Sequence, residues 1–158
     1  MSSKPKKILM VCLGNICRSP MAEALLKSKI DTTVHHVDSA GLDTWHIGEE
    51  PCNQTKNICR ENNIPINHKA RLFTVKDFDR FDKIYVMDQY NYDMVMEKAR
   101  SDEDRKKVSL ILNELFPGEN LDVPDPYKQN EERARDVFKL LDKATDVIAE
   151  KINHGKEL

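Results

Sequence analysis

The 158-residue sequence is short of several things, and each shortage excludes something. It has only 5 glycines and no glycine- or serine-rich tract, so nothing in it reads as a flexible linker between domains. Charge of neither sign dominates: 25 basic residues stand against 27 acidic ones, a formal net charge of −2. A globally basic surface, the usual basis for binding nucleic acid or anionic membranes, is therefore excluded, and neither partner is expected. No apolar run approaches the ~20 residues that cross a bilayer. The opening Met-Ser-Ser-Lys-Pro-Lys-Lys runs straight into a short apolar stretch, without the long apolar region and small-residue cleavage site of a signal peptide. Cysteine is scarce too, at positions 12, 17, 52 and 59. The chain is too large for four cysteines to staple it as a secreted mini-protein, so reduced thiols in a cytoplasm are expected. No C-x-x-C pair and no histidine pair at zinc-finger distance occurs, so no structural metal is expected.

What is present is globular. Hydrophobic residues make up 39% and charged residues 33%, a balance that disorder does not show. The length suits one domain over 1–158, able to bury roughly 70% of its unfolded surface without staples. There is no internal repeat. Lys7 to Leu13 is a continuous apolar run of strand length, as in a buried parallel strand. Pro20 opens a helical segment with Met21, Ala24, Leu25 and Ser28 on one face. Further strands are predicted over 33–38, 83–88 and 107–112, with helices near 52–62 and over 90–100 and a short helical turn at 74–80. The last helix spans 130–153, with Ala134, Val137, Phe138, Leu141, Ala144, Ile148 and Ile152 at helical spacing. Strands alternating with helices imply an α/β, doubly wound parallel sheet. Such sheets bind ligands at the carboxyl ends of their strands.

That rule points to the turn after the first strand. Cys12 stands at a strand end and Arg18 at a helix start, separated by Leu13, Gly14, Asn15, Ile16 and Cys17. Gly14 and Asn15 are residue types that tolerate a left-handed backbone, so the loop can curl with its N–H groups inward. Inward N–H groups and a helix N-terminus form an anion nest. Arg18 adds a planar fork matched to two phosphate oxygens. The field that holds a phosphate also stabilises a thiolate on Cys12, which would face phosphorus as a nucleophile. Downstream, Asp125 lies between Pro124 and Pro126, so its backbone is held extended, which suits a fixed proton donor.

The run CLGNICRSPMAE, then DSAG at 38–41, HKAR at 68–71 and DPY at 125–127, resembles the low-molecular-weight protein tyrosine phosphatases over essentially the whole chain. The resemblance implies a single-domain, three-layer α/β/α fold with a four-stranded parallel sheet and a phosphate-binding loop after strand 1. It implies that Cys12 attacks phosphorus, that Arg18 and the backbone of 13–18 bind the phosphoryl oxygens, and that Asp125 is the general acid and base. No cofactor is implied. Ser19 matches a hydroxyl that hydrogen-bonds the thiolate, although it would also serve as a helix cap. Asn15, Ser39 and His68 match residues that brace the loop. Trp45 and Tyr127 match the aromatic walls around the substrate ring, with Leu13 and Ile16 as an apolar collar. Members with Thr at the position of Ile16 resemble protein-arginine phosphatases, so Ile16 favours phosphotyrosine. Cys17 matches a resolving thiol that captures oxidised Cys12 as a disulfide. Lys128 stands where many members carry a second tyrosine, which favours acidic flanks on the substrate. The implied partners are phosphotyrosine proteins or small aryl phosphates, and the implied state is a monomer.

Cys52 and Cys59 are seven apart on a predicted helix and are assigned to packing. They are also spaced like the relay pair of arsenate reductases, the nearest rival. In that family the pair follows the third strand, whereas here it precedes it and residues 82–100 hold no cysteine. A non-catalytic phosphotyrosine-binding module is a further alternative, but the presence of both Cys12 and Asp125 speaks against it. Asp88, at a strand end, could border the pocket and is not assigned a role.

Overall fold

The apolar run after Lys7 forms β1 (Lys7–Cys12) in a computed structural model that describes residues 4–127 and 129–158. Ile8 to Cys12 are all buried, as a strand covered on both faces requires. β2 (His36–Gly41) and β3 (Lys83–Val86) pair with its two edges, and β4 (Val108–Leu110) pairs with β3. The sheet is all-parallel in the order β2-β1-β3-β4.

Side-chain alternation divides β1 between two cores. Ile8, Met10 and Cys12 pack with α1 (Arg18–Lys27), with Cys59 of α2 (Asn53–Glu61) and with α6 (Glu131–Asn153). Leu9 and Val11 pack on the other face with Phe78 of α3 (Asp77–Arg80) and Val95 of α4 (Gln89–Lys98). The result is the expected three-layer α/β/α arrangement. α6 buries Ala134, Val137, Leu141, Ala144, Ile148 and Ile152, while Phe138 is only partly covered. Each large aliphatic side chain so buried contributes about 1.5–3 kcal/mol.

Several boundaries differ from the sequence reading. β2 begins three residues later than predicted because Asp31 Oδ1 accepts from Thr33 N at 3.0 Å and holds 31–34 as a turn. β3 stops at Val86, since Asp88 caps α4, and β4 is cut short by a 3-10 turn over Ile111–Glu114. α5 (Asp102–Lys106) was not foreseen: it has no apolar stripe, only the Ser101 side chain accepting from Asp104 N at 3.2 Å. α1 starts at Arg18, ahead of Pro20, with Cys17 in the capping position. Ser19 therefore lies inside the helix and is not its cap. Cys52 also falls outside its predicted helix, in the capping position of α2, whereas Cys59 is fully buried in the core.

Candidate active site

β1 and β3 are neighbours whose following helices lie on opposite faces of the sheet, so a crevice opens beyond their carboxyl ends. The loop from Leu13 to Cys17 fills it. Asn15 takes φ 58, the left-handed conformation that asparagine tolerates. Gly14 does not: its glycine is explained by crowding, since a Cβ there would lie 3.0 Å from His46 Cδ2. Gly41 at the end of β2 is tighter still. A Cβ on it would meet Asn15 Cβ at 2.9 Å and Leu13 O at 3.0 Å.

The loop's carbonyls are tied outward. Leu13 O accepts from Leu42 N at 2.8 Å and Asp43 N at 3.0 Å, Ile16 O from Cys52 N at 2.7 Å, and Cys17 O from Thr55 Oγ1 at 3.1 Å. In a trans peptide the next N–H points the opposite way. The N–H groups of Gly14, Cys17 and Arg18 therefore face the loop's interior. Asn15 N donates to Cys12 Sγ at 3.3 Å.

Behind the loop, Asn15 uses all of its side-chain hydrogen-bonding capacity. Its Nδ2 donates to Ser19 Oγ at 2.8 Å and Ser39 Oγ at 3.0 Å. Its Oδ1 accepts from His68 Nε2 at 2.7 Å and from Arg71 N at 3.0 Å. The backbone N–H of Arg71 can only donate, so the orientation of the amide is fixed. Ser39 passes its hydrogen to Glu23 Oε1 at 2.6 Å. Ser19, already accepting from Asn15, has its hydrogen free for Cys12 Sγ at 3.0 Å. Every donor in the chain from Cys12 to Glu23 is thus assigned. Burial lowers the pKa of His68 against the opposing pull of Glu23 and Asp38, and its Nδ1 lies 3.2 Å from Glu23 Oε1. Glu23, Asp38 and His68 could offer ligand atoms to a metal. However, Lys27 already bonds Glu23, Arg71 bonds Asp38 at 2.9 Å, and His68 is committed to Asn15.

Arg18 is 3% exposed. Its Nη1 donates to Asp88 Oδ2 at 2.7 Å and Val123 O at 3.0 Å, and its Nη2 lies 3.6 Å from Asp125 Oδ2. Burial opposes its charge, but Cys12, Asp88 and Asp125 outweigh that and raise its pKa. Asp125 is half exposed, and its Oδ1 accepts from Tyr127 N at 3.1 Å, which holds the Pro-Asp-Pro turn.

A narrow cavity of about 100 Å³ opens above Cys12. Leu13, Gly14, Ile16, Cys17, Arg18, Trp45, Asp125 and Tyr127 line it with Cys12, while Asn15, Ser19, Ser39 and His68 stand behind the loop. Asp88, left without a role by the sequence, is the ion-pair partner of Arg18, and Asp43 and His46 were not foreseen at the site. Asp43 and His46 line the same cavity, and the His46 ring sits edge-on to Tyr127 at 5.4 Å between centroids. Trp45, expected as a wall, stands at the mouth and is 83% exposed. Lys128 lies outside the described residues.

The chain matches the family described as low molecular weight phosphotyrosine protein phosphatase over residues 7–158. The chain belongs to that family. It is 36% identical over 130 residues to the low molecular weight phosphotyrosine protein phosphatase of Schizosaccharomyces pombe, covering 79% of this chain and 83% of that protein. Its fold is similar to a protein tyrosine phosphatase from Entamoeba histolytica with Hepes in the active site (TM-score 0.87, 30% identity, 95% and 98% of the two chains covered). It is also similar to the YwlE arginine phosphatase from Geobacillus stearothermophilus (TM-score 0.85, 31% identity, 95% and 94% covered). The chain is accordingly a phosphatase. Among the described residues, no helix is long and apolar enough to cross a membrane.

Proposed function

We propose that this phosphatase hydrolyses phosphotyrosine in proteins, and small aryl phosphates, through a phosphocysteine on Cys12. One observation carries the reading: Cys12, Arg18 and Asp125 line one narrow cavity floored by a loop whose amides face inward. The phosphoryl oxygens accept from those amides and from Arg18, whose charge counters the charge of the transition state. Cys12 Sγ attacks phosphorus while the Asp125 carboxyl gives its proton to the departing phenolate oxygen. The resulting Asp125 carboxylate then takes a proton from water, which attacks the phosphocysteine and releases inorganic phosphate. Ser19, at 3.0 Å, donates to the sulfur as it leaves. Leu13 and Ile16 form the collar, and Tyr127 with His46 forms a ring-bearing wall that suits a phenyl group.

In the same reading the single domain spans 1–158, acts as a monomer in the cytoplasm and requires neither nucleic acid nor a membrane. Cys17 serves as the resolving thiol for oxidised Cys12. Likeness to an arginine phosphatase raises a second substrate class, against which the apolar Ile16 stands. Steady-state turnover of phosphotyrosine, phosphoarginine and arsenate side by side, in wild type and Cys12→Ser, tests the reading. Phosphotyrosine turnover lost in Cys12→Ser is expected. Turnover that survives the substitution would overturn it, and preference for phosphoarginine would reassign the substrate.

A further inference from the structure

Cys17 has a second sulfur neighbour besides Cys12. The Cys52 side chain packs against the small cluster of Ile16, Cys17 and Ala70. Backbone contacts hold Cys52 in place. Cys52 N donates to Ile16 O at 2.7 Å, and Thr55 Oγ1, which is 3.3 Å from Cys52 Sγ, donates to Cys17 O at 3.1 Å. Cys12 and Cys17 line the cavity described above, whereas Cys52 lines a separate surface depression of about 510 Å³ that shares Ile16 and Tyr127 with it. Cys17 thus sits between a buried sulfur and one that solvent can reach. All three are free thiols.

We propose that Cys52 is a second resolving thiol, which takes over the disulfide of Cys17 and returns Cys12 to its thiolate form. The proposal rests on the reading of Cys12 as nucleophile and Cys17 as its first resolving partner. The oxidant is hydrogen peroxide. Cys12 thiolate attacks it, the O–O bond breaks, and with one proton the products are Cys12 sulfenic acid and water. Cys17 then attacks the sulfenic sulfur. Its proton passes to the neighbouring Cys52, hydroxide leaves, and the Cys12–Cys17 disulfide forms. Hydroxide takes the proton back from Cys52, giving water. Finally Cys52 thiolate attacks Cys17 Sγ, the Cys12–Cys17 bond breaks, and Cys12 leaves as thiolate. Two electrons have moved to the peroxide, and the oxidation is stored as a Cys17–Cys52 disulfide.

The ionisation pattern fits these roles. Interaction with the Cys17 side chain lowers Cys52 to about 6, against the effect of burial. The same interaction, with burial, raises Cys17. Cys52 is therefore the more acidic thiol of the pair and the natural acceptor of the Cys17 proton. Its position at the N-terminus of α2 favours that charge as well.

The test uses the reduced full-length protein, one equivalent of hydrogen peroxide, catalase quench, alkylation and tryptic mapping. Trypsin leaves Cys12 and Cys17 together in residues 8–18 and places Cys52 in residues 30–56. The expected product is a cross-link between these two peptides through Cys17 and Cys52, with Cys12 alkylated. Activity towards an aryl phosphate should return at least tenfold faster without reductant than in Cys52→Ser. That variant should start with wild-type activity and accumulate only the Cys12–Cys17 disulfide. An internally bridged 8–18 peptide with Cys52 alkylated in the wild type would overturn the proposal. So would a cross-link from Cys12 itself, or sulfinic acid on Cys12. Peroxide that leaves Cys12 unmodified and activity intact would instead reject the underlying assignment of Cys12, and the two failures are told apart on the same gel-free map.

Discussion

Asp88 divides its two carboxylate oxygens between the catalytic loop and the opposite face of the sheet. Oδ2 accepts from Arg18 Nη1 at 2.7 Å, and Oδ1 accepts from Asn91 N at 2.8 Å, capping α4. The guanidinium is thereby tied to the end of β3 as well as to its own helix. Val123 O at 3.0 Å fixes the same nitrogen from a third segment. Arg18 is held before any substrate arrives, which is the pre-organisation that charge stabilisation in a transition state demands.

Removing that tie should slow the reaction. A hydrogen bond to a charged group contributes about 1.5–3 kcal/mol, so Asp88→Ala should lower kcat roughly 10- to 100-fold where that stabilisation is felt in the transition state. Loss of the α4 cap should cost about 1 kcal/mol of stability besides. Asp88→Asn keeps an acceptor for the cap and isolates the effect on Arg18. Steady-state kinetics beside thermal melting checks both, and an unchanged kcat in Asp88→Ala would count against the role.

Gly41→Ala should damage activity without touching a pocket wall. The added methyl would meet Asn15 Cβ at 2.9 Å, and Asn15 holds Ser19, Ser39 and, through its backbone, Cys12. Overpacking of this kind costs about 1–3 kcal/mol. Lower kcat with a lower urea midpoint is the expected pair of results, and wild-type kinetics would show that the loop yields without consequence.

Asp125→Ala should act according to the leaving group. Loss of a positioned general acid removes about 10²-fold or more, and the loss should be largest for esters whose phenolate is a poor leaving group. A series of substituted phenyl phosphates reads this as a steeper dependence of kcat on leaving-group pKa. Equal losses across the series would remove Asp125 from that role.

The reactivity of Cys52 should follow its depressed ionisation. Its pKa falls from 9.0 to about 6, so the thiolate fraction rises as pH passes upward through about 6 and changes little above that. In Cys12→Ser, the rate of Cys52 alkylation should level off by neutral pH. A rate that keeps climbing towards pH 9 would mark an ordinary thiol.

The parts legible in the sequence were those that local chemistry decides. The apolar run of β1 could be nothing but a buried strand, and the Cys12-to-Arg18 loop carried its own signal in residue type and spacing. Elements lacking a periodic stripe were misjudged: β2 slid by three residues against the Asp31 turn, and α5 has only its cap to announce it. Contacts made by the sheet order were invisible. The strand-end position of Asp88 put it near the pocket, but only the sheet order, with β3 beside β1, delivers it to Arg18, and helical spacing placed Cys52 beside Cys59 when the fold sets it against Cys17. Gly41 shows the same limit, since its reason lies in Asn15, in the loop after the neighbouring strand.

The most direct test is to look for phosphate on the nucleophile itself. Wild type and Asp125→Ala should be mixed with an activated aryl phosphate, acid-quenched within one turnover and mapped by mass spectrometry. The account predicts one phosphoryl group on Cys12 in the peptide spanning residues 8–18, reaching higher occupancy in Asp125→Ala, where the water that clears it lacks its base. Burst release of phenol with no phosphate on Cys12, or phosphate on any other residue, would contradict it.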